Sequence, residues 1–139
     1  MPQSRANLPP PSGVEQFQEL LHRNGAQLRQ LRATQCVRRR RSKYFAPELF
    51  SDPAWDMLLE LYAAELEQRR ISTTGLSYAA GVPLTTGLRW IDVFIREGLI
   101  AKRCDPLDRR RVYIGLSANG VAAMSAYFAS DEKSVQAIP

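Results

Sequence analysis

Residues 71–120 read ISTTGLSYAAGVPLTTGLRWIDVFIREGLIAKRCDPLDRRRVYIGLSANG, and this stretch decides the fold. Ser72 or Thr73 is suited to cap a brief helix that reaches Tyr78 to Ala80. Gly81-Val82-Pro83 is a turn, and a second helix is expected from about Leu84 to Glu97. Gly98 closes that helix, because a left-handed residue at this point satisfies the last carbonyls. Leu99 to Cys104 reads as a strand, and Asp105-Pro106-Leu107-Asp108 is turn-forming. Val112, Ile114 and Leu116 alternate with Tyr113 and Gly115, which predicts the second strand of a hairpin. Ser117 then caps a last helix, from about Ala118 to Phe128 or slightly beyond.

Working outward, Ser51-Asp52-Pro53 signals a helix start, with Asp52 as N-cap and proline at the first helical position. That helix is expected to run to about Arg69, with Trp55, Leu58, Leu59, Tyr62, Ala63 and Leu66 as a broad apolar face. Tyr44 to Phe50 is a connector interrupted by Pro47. Val14 to about Arg41 reads as a further helix. Val14, Phe17, Leu21, Asn24, Leu28 and Leu31 fall at alternating spacings of three and four, a short heptad seam. Such a seam either lies on the protein's own core or pairs with a second copy. The expected organisation is a disordered tail over 1–13, an N-terminal helix over 14–43 that is a candidate dimerisation element, a winged helix-turn-helix domain over 44–129 and a flexible tail over 130–139. The fold class is mainly α with a small antiparallel β-hairpin.

The 139 residues carry a formal net charge of +5, with 45% hydrophobic and 24% charged side chains, which suits one globular core. Arg38, Arg39, Arg40, Arg41 and Lys43 form one basic cluster, and Lys102, Arg103, Arg109, Arg110 and Arg111 form another. Together they hold ten of the 19 basic residues, so the excess charge is concentrated and favours a polyanionic partner. Cys36 and Cys104 stand 68 positions apart, and His22 is the single histidine, too few ligands for a zinc site. Both cysteines read as reduced thiols, although Lys102 and Arg103 beside Cys104 would favour its thiolate. No metal and no cofactor are expected. No apolar run approaches the roughly 18 residues that span a bilayer, and the first residues lack a secretory pattern. A cytoplasmic protein, nucleoid-associated when on DNA, is therefore expected. Paired carboxylates in a cleft pattern and glycine-rich phosphate loops are missing from the sequence, so an enzyme is not expected.

Two short helices joined by a glycine-containing turn make a helix-turn-helix, and the basic hairpin directly after it makes a wing. The physics suits duplex DNA. A helix fits the major groove, phosphates demand cations, and an arginine on a thin hairpin can enter the narrow minor groove. From Gly81 to Gly120 the chain resembles the MarR (multiple antibiotic resistance regulator) family of winged-helix transcriptional regulators. The resemblance rests on Gly81, on Thr85-Thr86-Gly87-Leu88-Arg89-Trp90-Ile91, and on Glu97-Gly98-Leu99-Ile100. It continues through the wing Asp105 to Val112 and ends on Leu116-Ser117-Ala118-Asn119-Gly120. It implies that Thr85, Thr86 and Arg89 face DNA and that Arg110 approaches the minor groove. It implies too that Asp108 braces Arg110 through a charge-assisted hydrogen bond. Arg109, Arg111 and Lys102 join as phosphate contacts, and Arg38, Arg39, Arg40 and Arg41 are candidates for the same role. In the family register Gly87, Trp90, Ile91 and Phe94 face the core, which leaves Leu84 and Leu88 on the groove side.

Those two leucines can touch thymine methyl groups, but they leave few polar groups to read base edges. The leading expectation is a homodimeric DNA-binding transcriptional regulator, with helix 84–97 in the major groove and wing 105–112 on the minor groove or phosphates. The alternative is a winged-helix protein-interaction module without specific DNA binding, since fold does not fix function. Family members use long terminal helices to roof a pocket for small anionic or phenolic ligands. About 19 residues follow Gly120 here, so a small-molecule effector is not expected.

Overall fold

The computed structural model describes the backbone of residues 12–137 and the side chains of residues 12–130. Most of the expected tail over 1–13 lies outside the described residues. Its last two positions do not: Ser12 caps α1 (Gly13–Arg41), its hydroxyl accepting from the Glu15 N–H at 3.3 Å while Glu15 accepts from the Ser12 N–H at 3.0 Å. This reciprocal pair satisfies two of the donors that a helix start leaves open. A turn of 3-10 helix, Pro47–Phe50, interrupts the connector. Asp52 then caps α2 (Pro53–Leu66) by accepting from the Trp55 N–H. β1 (Ile71–Ser72), α3 (Thr73–Ala79), α4 (Leu84–Arg96), β2 (Ile100–Cys104), β3 (Val112–Leu116) and α5 (Ala118–Ala137) follow. The winged helix-turn-helix order is as read from the sequence.

Three elements differ from expectation. The sheet has three antiparallel strands in the order β1-β3-β2, because Ile71 and Ser72 pair with Ile114 and Tyr113. Two residues between helices carry too little alternation to announce a strand. The helix α2 stops at Leu66 rather than Arg69. Gln68 adopts a left-handed φ of 54°, and the Arg69 N–H reaches back to the Ala64 carbonyl at 2.8 Å. The helix α5 continues to Ala137 instead of fraying from residue 130.

The core gathers one face from each long element. Tyr62, Phe128, Leu31, Met57, Leu59, Leu61, Leu76 and Leu116 are its largest fully buried side chains. The Tyr62 and Phe128 rings stack at 5.8 Å and so join α2 to α5. Ile91 and Phe94 bring α4 into the same core, and Ile100 and Ile114 bring the sheet. Burying a side chain of this size removes apolar surface worth about 1.5–3 kcal/mol.

The seam on α1 divides in two. Leu31 is fully buried and Leu28 packs against the core, whereas Val14, Phe17 and Leu21 are 67%, 60% and 54% exposed. The second half of α1 is therefore part of the compact body. Polar groups fasten it there. The Tyr62 hydroxyl donates to Gln27, and the Gln35 amide donates to Glu60 at 3.0 Å. Arg32 donates to Gln35 at 2.8 Å and to Glu67, and Arg69 reaches Glu67 at 2.7 Å and Glu60 at 3.2 Å. Gln27, Gln35 and Glu60 are buried, so each needs the partner it has.

Glu67 makes this network pH-sensitive. Burial alone would raise its pKa, but hydrogen bonds from Arg32 and Arg69, with their charges, outweigh that and hold it below the ordinary 4.5. A carboxylate lowered in the folded state stabilises the fold above its ordinary value, and loses that contribution as pH falls through the lowered one. Glu67→Gln is expected to lower stability by about 1 kcal/mol between pH 5 and 7, the upper range for a partly exposed pair. The gap from the parent should close below about pH 4.5 in urea titrations. A gap that stays constant down to pH 3 would show that the ion pairs contribute nothing.

Candidate nucleic-acid interface

The turn between α3 and α4 sets the site. Gly81 sits at φ 67°, where a β-carbon would be strained. The Val82 N–H then closes on the Ser77 carbonyl at 2.8 Å, and the Gly87 N–H bonds to the Pro83 carbonyl at 2.8 Å in the first turn of α4. The two helices touch at Gly87. An ideal β-carbon there would fall well inside 3.0 Å of the Ser77 hydroxyl oxygen, and Ser77 is itself buried. Glycine is thus what lets the helices cross this closely.

Gly87, Ile91 and Phe94 are buried on the inner face of α4, and Trp90 packs beside them, as the family resemblance implied. Thr85 and Arg89 are exposed and Thr86 is half-buried. Leu84 and Leu88 are each 46% exposed, and Asp92 is exposed one turn further along. The outward surface therefore offers the guanidinium groups of Arg89 and, in the last turn, Arg96, with one carboxylate and threonine hydroxyls among leucines. Base-edge recognition by bidentate pairs has few groups to use here.

The hairpin carries the charge. In the β2–β3 register Lys102 faces Ile114 and Arg103 faces Tyr113, and both cations are exposed. At the tip, Asp105 accepts from the Leu107 N–H at 2.9 Å, and its own N–H bonds to the Arg111 carbonyl at 3.0 Å. Asp108 accepts from the backbone N–H of Arg110 at 3.0 Å, and its other oxygen lies 3.9 Å from Arg111 Nε. Asp108 was expected to hold the Arg110 guanidinium. In the structure it holds the Arg110 backbone instead, and the side chain it approaches is that of Arg111. The reason is local: a carboxylate two residues before an N–H closes an Asx turn. Arg109, Arg110 and Arg111 are all exposed, and Leu107 at the tip is 96% exposed. Arg70 lies over the Tyr113 ring at 5.5 Å, which steadies the base of the hairpin.

The four arginines ending α1 separate. Arg38 Nε donates to Asp56 at 2.5 Å, and the hydrogen bond and charge of Asp56 raise the Arg38 pKa despite the opposing effect of burial. That arginine pins α1 to the first turn of α2. Arg39 and Arg41 line a cleft of 310 Å³ with Phe50, Tyr78 and Gly81, while Arg40 is exposed and outside it. Tyr78 is 88% exposed beside the helix-turn-helix turn. Sequence reasoning missed it, because a lone aromatic on a seven-residue helix has no periodic partner to mark its face.

Cys36 and Cys104 are free and exposed. Among the described residues, no group of three histidine, cysteine or acidic side chains is placed to hold a metal ion, and no helix is long and apolar enough to cross a membrane.

Comparison with solved structures finds the same architecture. S. aureus MepR in complex with DNA matches with a TM-score of 0.52 and 19% identity, over 87% of this chain and 82% of that one. S. aureus MepR bound to ethidium bromide matches with a TM-score of 0.50 and 16% identity, over 90% and 80%. The adhesin competence repressor AdcR of Streptococcus pyogenes matches with a TM-score of 0.47 and 16% identity, over 63% of this chain; the match spans 60% of the AdcR chain. At these identities the shared property is the winged-helix fold. No protein-family model and no curated protein matches the chain.

Proposed function

We propose that this protein is a DNA-binding transcriptional regulator of the MarR type, acting as a homodimer in the cytoplasm on the nucleoid. The observation that carries the reading is the wing. Lys102, Arg109, Arg110 and Arg111 stand exposed on a hairpin next to a helix whose outer face is open, in a fold that MepR uses in complex with DNA. In this reading Thr85, Thr86, Leu88 and Arg89 enter the major groove. The wing arginines and Lys102 take the minor groove and phosphates, with Asp108 shaping the tip. The test is a titration of the whole protein against duplex DNA at several salt concentrations. Binding at 0.05 M salt that weakens about a thousandfold by 0.2 M would match about six phosphate contacts. Absence of binding at 0.05 M would overturn it.

The homodimer rests on the first half of α1. Val14, Phe17, Leu20 and Leu21 are all about half exposed or more, on a helix whose start is firmly capped. A run of large apolar side chains in water is suited to a second copy. Deleting 1–41 would be a poor test, because Leu31, Gln27 and Gln35 would leave the core with it. Phe17→Asp with Leu21→Asp touches only the exposed half and is expected to give a monomer in sedimentation. A dimer in that variant would place the interface elsewhere. In the dimer, the two α4 helices would address half-sites about 34 Å apart.

Leu84, Leu88 and Leu107 favour a second reading, a module that docks on another protein through the same face. The low-salt titration separates the two. No catalytic role or cofactor is proposed.

A further inference from the structure

We propose that the end of α1 is a second phosphate grip, in which Arg39 and Arg41 hold the DNA backbone beside the helix-turn-helix turn. The proposal rests on the DNA-binding reading and extends the contact surface to a part of the chain outside the winged-helix motif. Three observations meet at the 310 Å³ cleft. Its walls are the last turn of α1, the connector from Ala46 to Ser51, and residues 78–81 of the turn that leads into α4. Tyr78, one of its lining residues, is 88% exposed. Its charge is uncompensated: Arg38, Arg39 and Arg41 line it against a single carboxylate, Asp56, which already pairs with Arg38 at 2.5 Å.

That leaves Arg39 and Arg41, which have no acidic partner within ion-pair distance among the described residues. The Arg41 guanidinium lies over the Phe50 ring at 5.7 Å, so it is oriented without being neutralised. Guanidinium forks match phosphate oxygens, and an oriented fork loses less freedom when it binds. The Tyr78 hydroxyl can donate to the same anion. Position supplies the rest. The first helix of a helix-turn-helix crosses the DNA backbone while the second enters the groove. A cationic cleft against the turn between them borders the strand that flanks that groove. The Arg38–Asp56 pair and the Gln35–Glu60 hydrogen bond fix the end of α1 against α2, so the two arginines are held in place relative to α4. A polyphosphate strand suits this cleft better than an acidic peptide, because two guanidinium groups in one cleft match the oxygens of repeated phosphates.

The experiment compares two charge-matched variants of the full chain on a duplex of random sequence. Arg39→Gln/Arg41→Gln removes the proposed grip. Arg23→Gln/Arg29→Gln removes the same charge from the same helix, away from the cleft. The first is expected to lose at least about tenfold in affinity near 0.15 M salt, with the salt slope shallower by about 2, one unit per phosphate lost. Sequence preference should not change. The second is expected to lose less than about threefold. Ethylation interference should show backbone positions outside the wing contacts that matter to the parent and not to the cleft variant. Equal losses in both variants, or a cleft variant within twofold of the parent, would overturn the grip while leaving the DNA reading intact. A parent protein that fails to bind DNA at 0.05 M salt would overturn both.

Discussion

Replacing Arg89 and Arg110 together with alanine is expected to lower the affinity for duplex DNA by more than tenfold near 0.15 M salt. In the proposed DNA-binding mode these two side chains are the cations on which the groove and wing contacts turn. Arg89 is the single basic group on the outer face in the first two turns of α4, and Arg110 projects from the wing with its backbone held by Asp108. Neither forms an ion pair among the described residues, and both are exposed. Their removal should therefore change the melting temperature little, since surface substitutions away from special features stay within about 0.5 kcal/mol. The loss should appear in binding, and the salt slope should fall by about one unit for each phosphate contact removed. Fluorescence anisotropy across a salt series reads both quantities. An unchanged affinity, with the slope intact, would remove this face from the DNA contact and shift attention to a protein partner.

The same face explains why sequence discrimination is expected to be modest. Arg89 can pair with guanine, and Leu84 and Leu88 can meet thymine methyl groups, but an exposed Asp92 repels phosphate and accepts only from cytosine or adenine amino groups. Specificity then depends on groove shape and bendability as much as on base edges. Comparing a selected site with random DNA would measure it, with a ratio near a hundredfold rather than a millionfold.

Much of this arrangement is legible in the residues themselves. Asp52-Pro53, Ser72, Gly81, Gly98 and Ser117 each act through local backbone chemistry, so the helix starts and turns follow from a few adjacent residues. The inner face of α4 follows from the register that the family resemblance implies. What stayed hidden depends on contacts distant in sequence. The strand β1 exists because β3 offers it an edge. The end of α2 depends on Arg69 turning back to Glu60 and Glu67. The seam on α1 keeps the same alternation of three and four throughout, yet its second half meets α2 and its first half meets solvent. The basic run Arg38–Arg41 gave no sign that Arg38 engages Asp56 while Arg39 and Arg41 border the turn.

Gly120 shows how a motif residue can be steric in origin, and it gives the largest expected effect on stability. Gly120→Ala is expected to destabilise the protein by about 2–3 kcal/mol, the upper part of the range for overpacking, because the atoms it meets cannot yield. An ideal β-carbon at Gly120 would come well inside 3.0 Å of the Leu99 carbonyl oxygen, and 3.1 Å from the Leu116 Cδ2 atom. That carbonyl is not free to move. It accepts the Ser117 N–H at 2.8 Å, while the Ser117 hydroxyl donates to the Gly98 carbonyl at 2.6 Å and accepts from the Gly120 N–H at 3.1 Å. These bonds stitch the α4–β2 junction to the first turn of α5. A methyl group forces them apart, and with them the start of the wing. Gly25→Ala provides the contrast within the same chain. It lies inside α1, where an added β-carbon meets only the end of the Arg29 side chain at 3.7 Å. There the better helix propensity of alanine should stabilise by about 0.5–1 kcal/mol. Urea titrations at one protein concentration should thus move the two midpoints in opposite directions. If Gly120→Ala were as stable as Gly25→Ala, the close approach of α5 to Leu99 would be wrong, and the placement of the wing on this body would have to be revised.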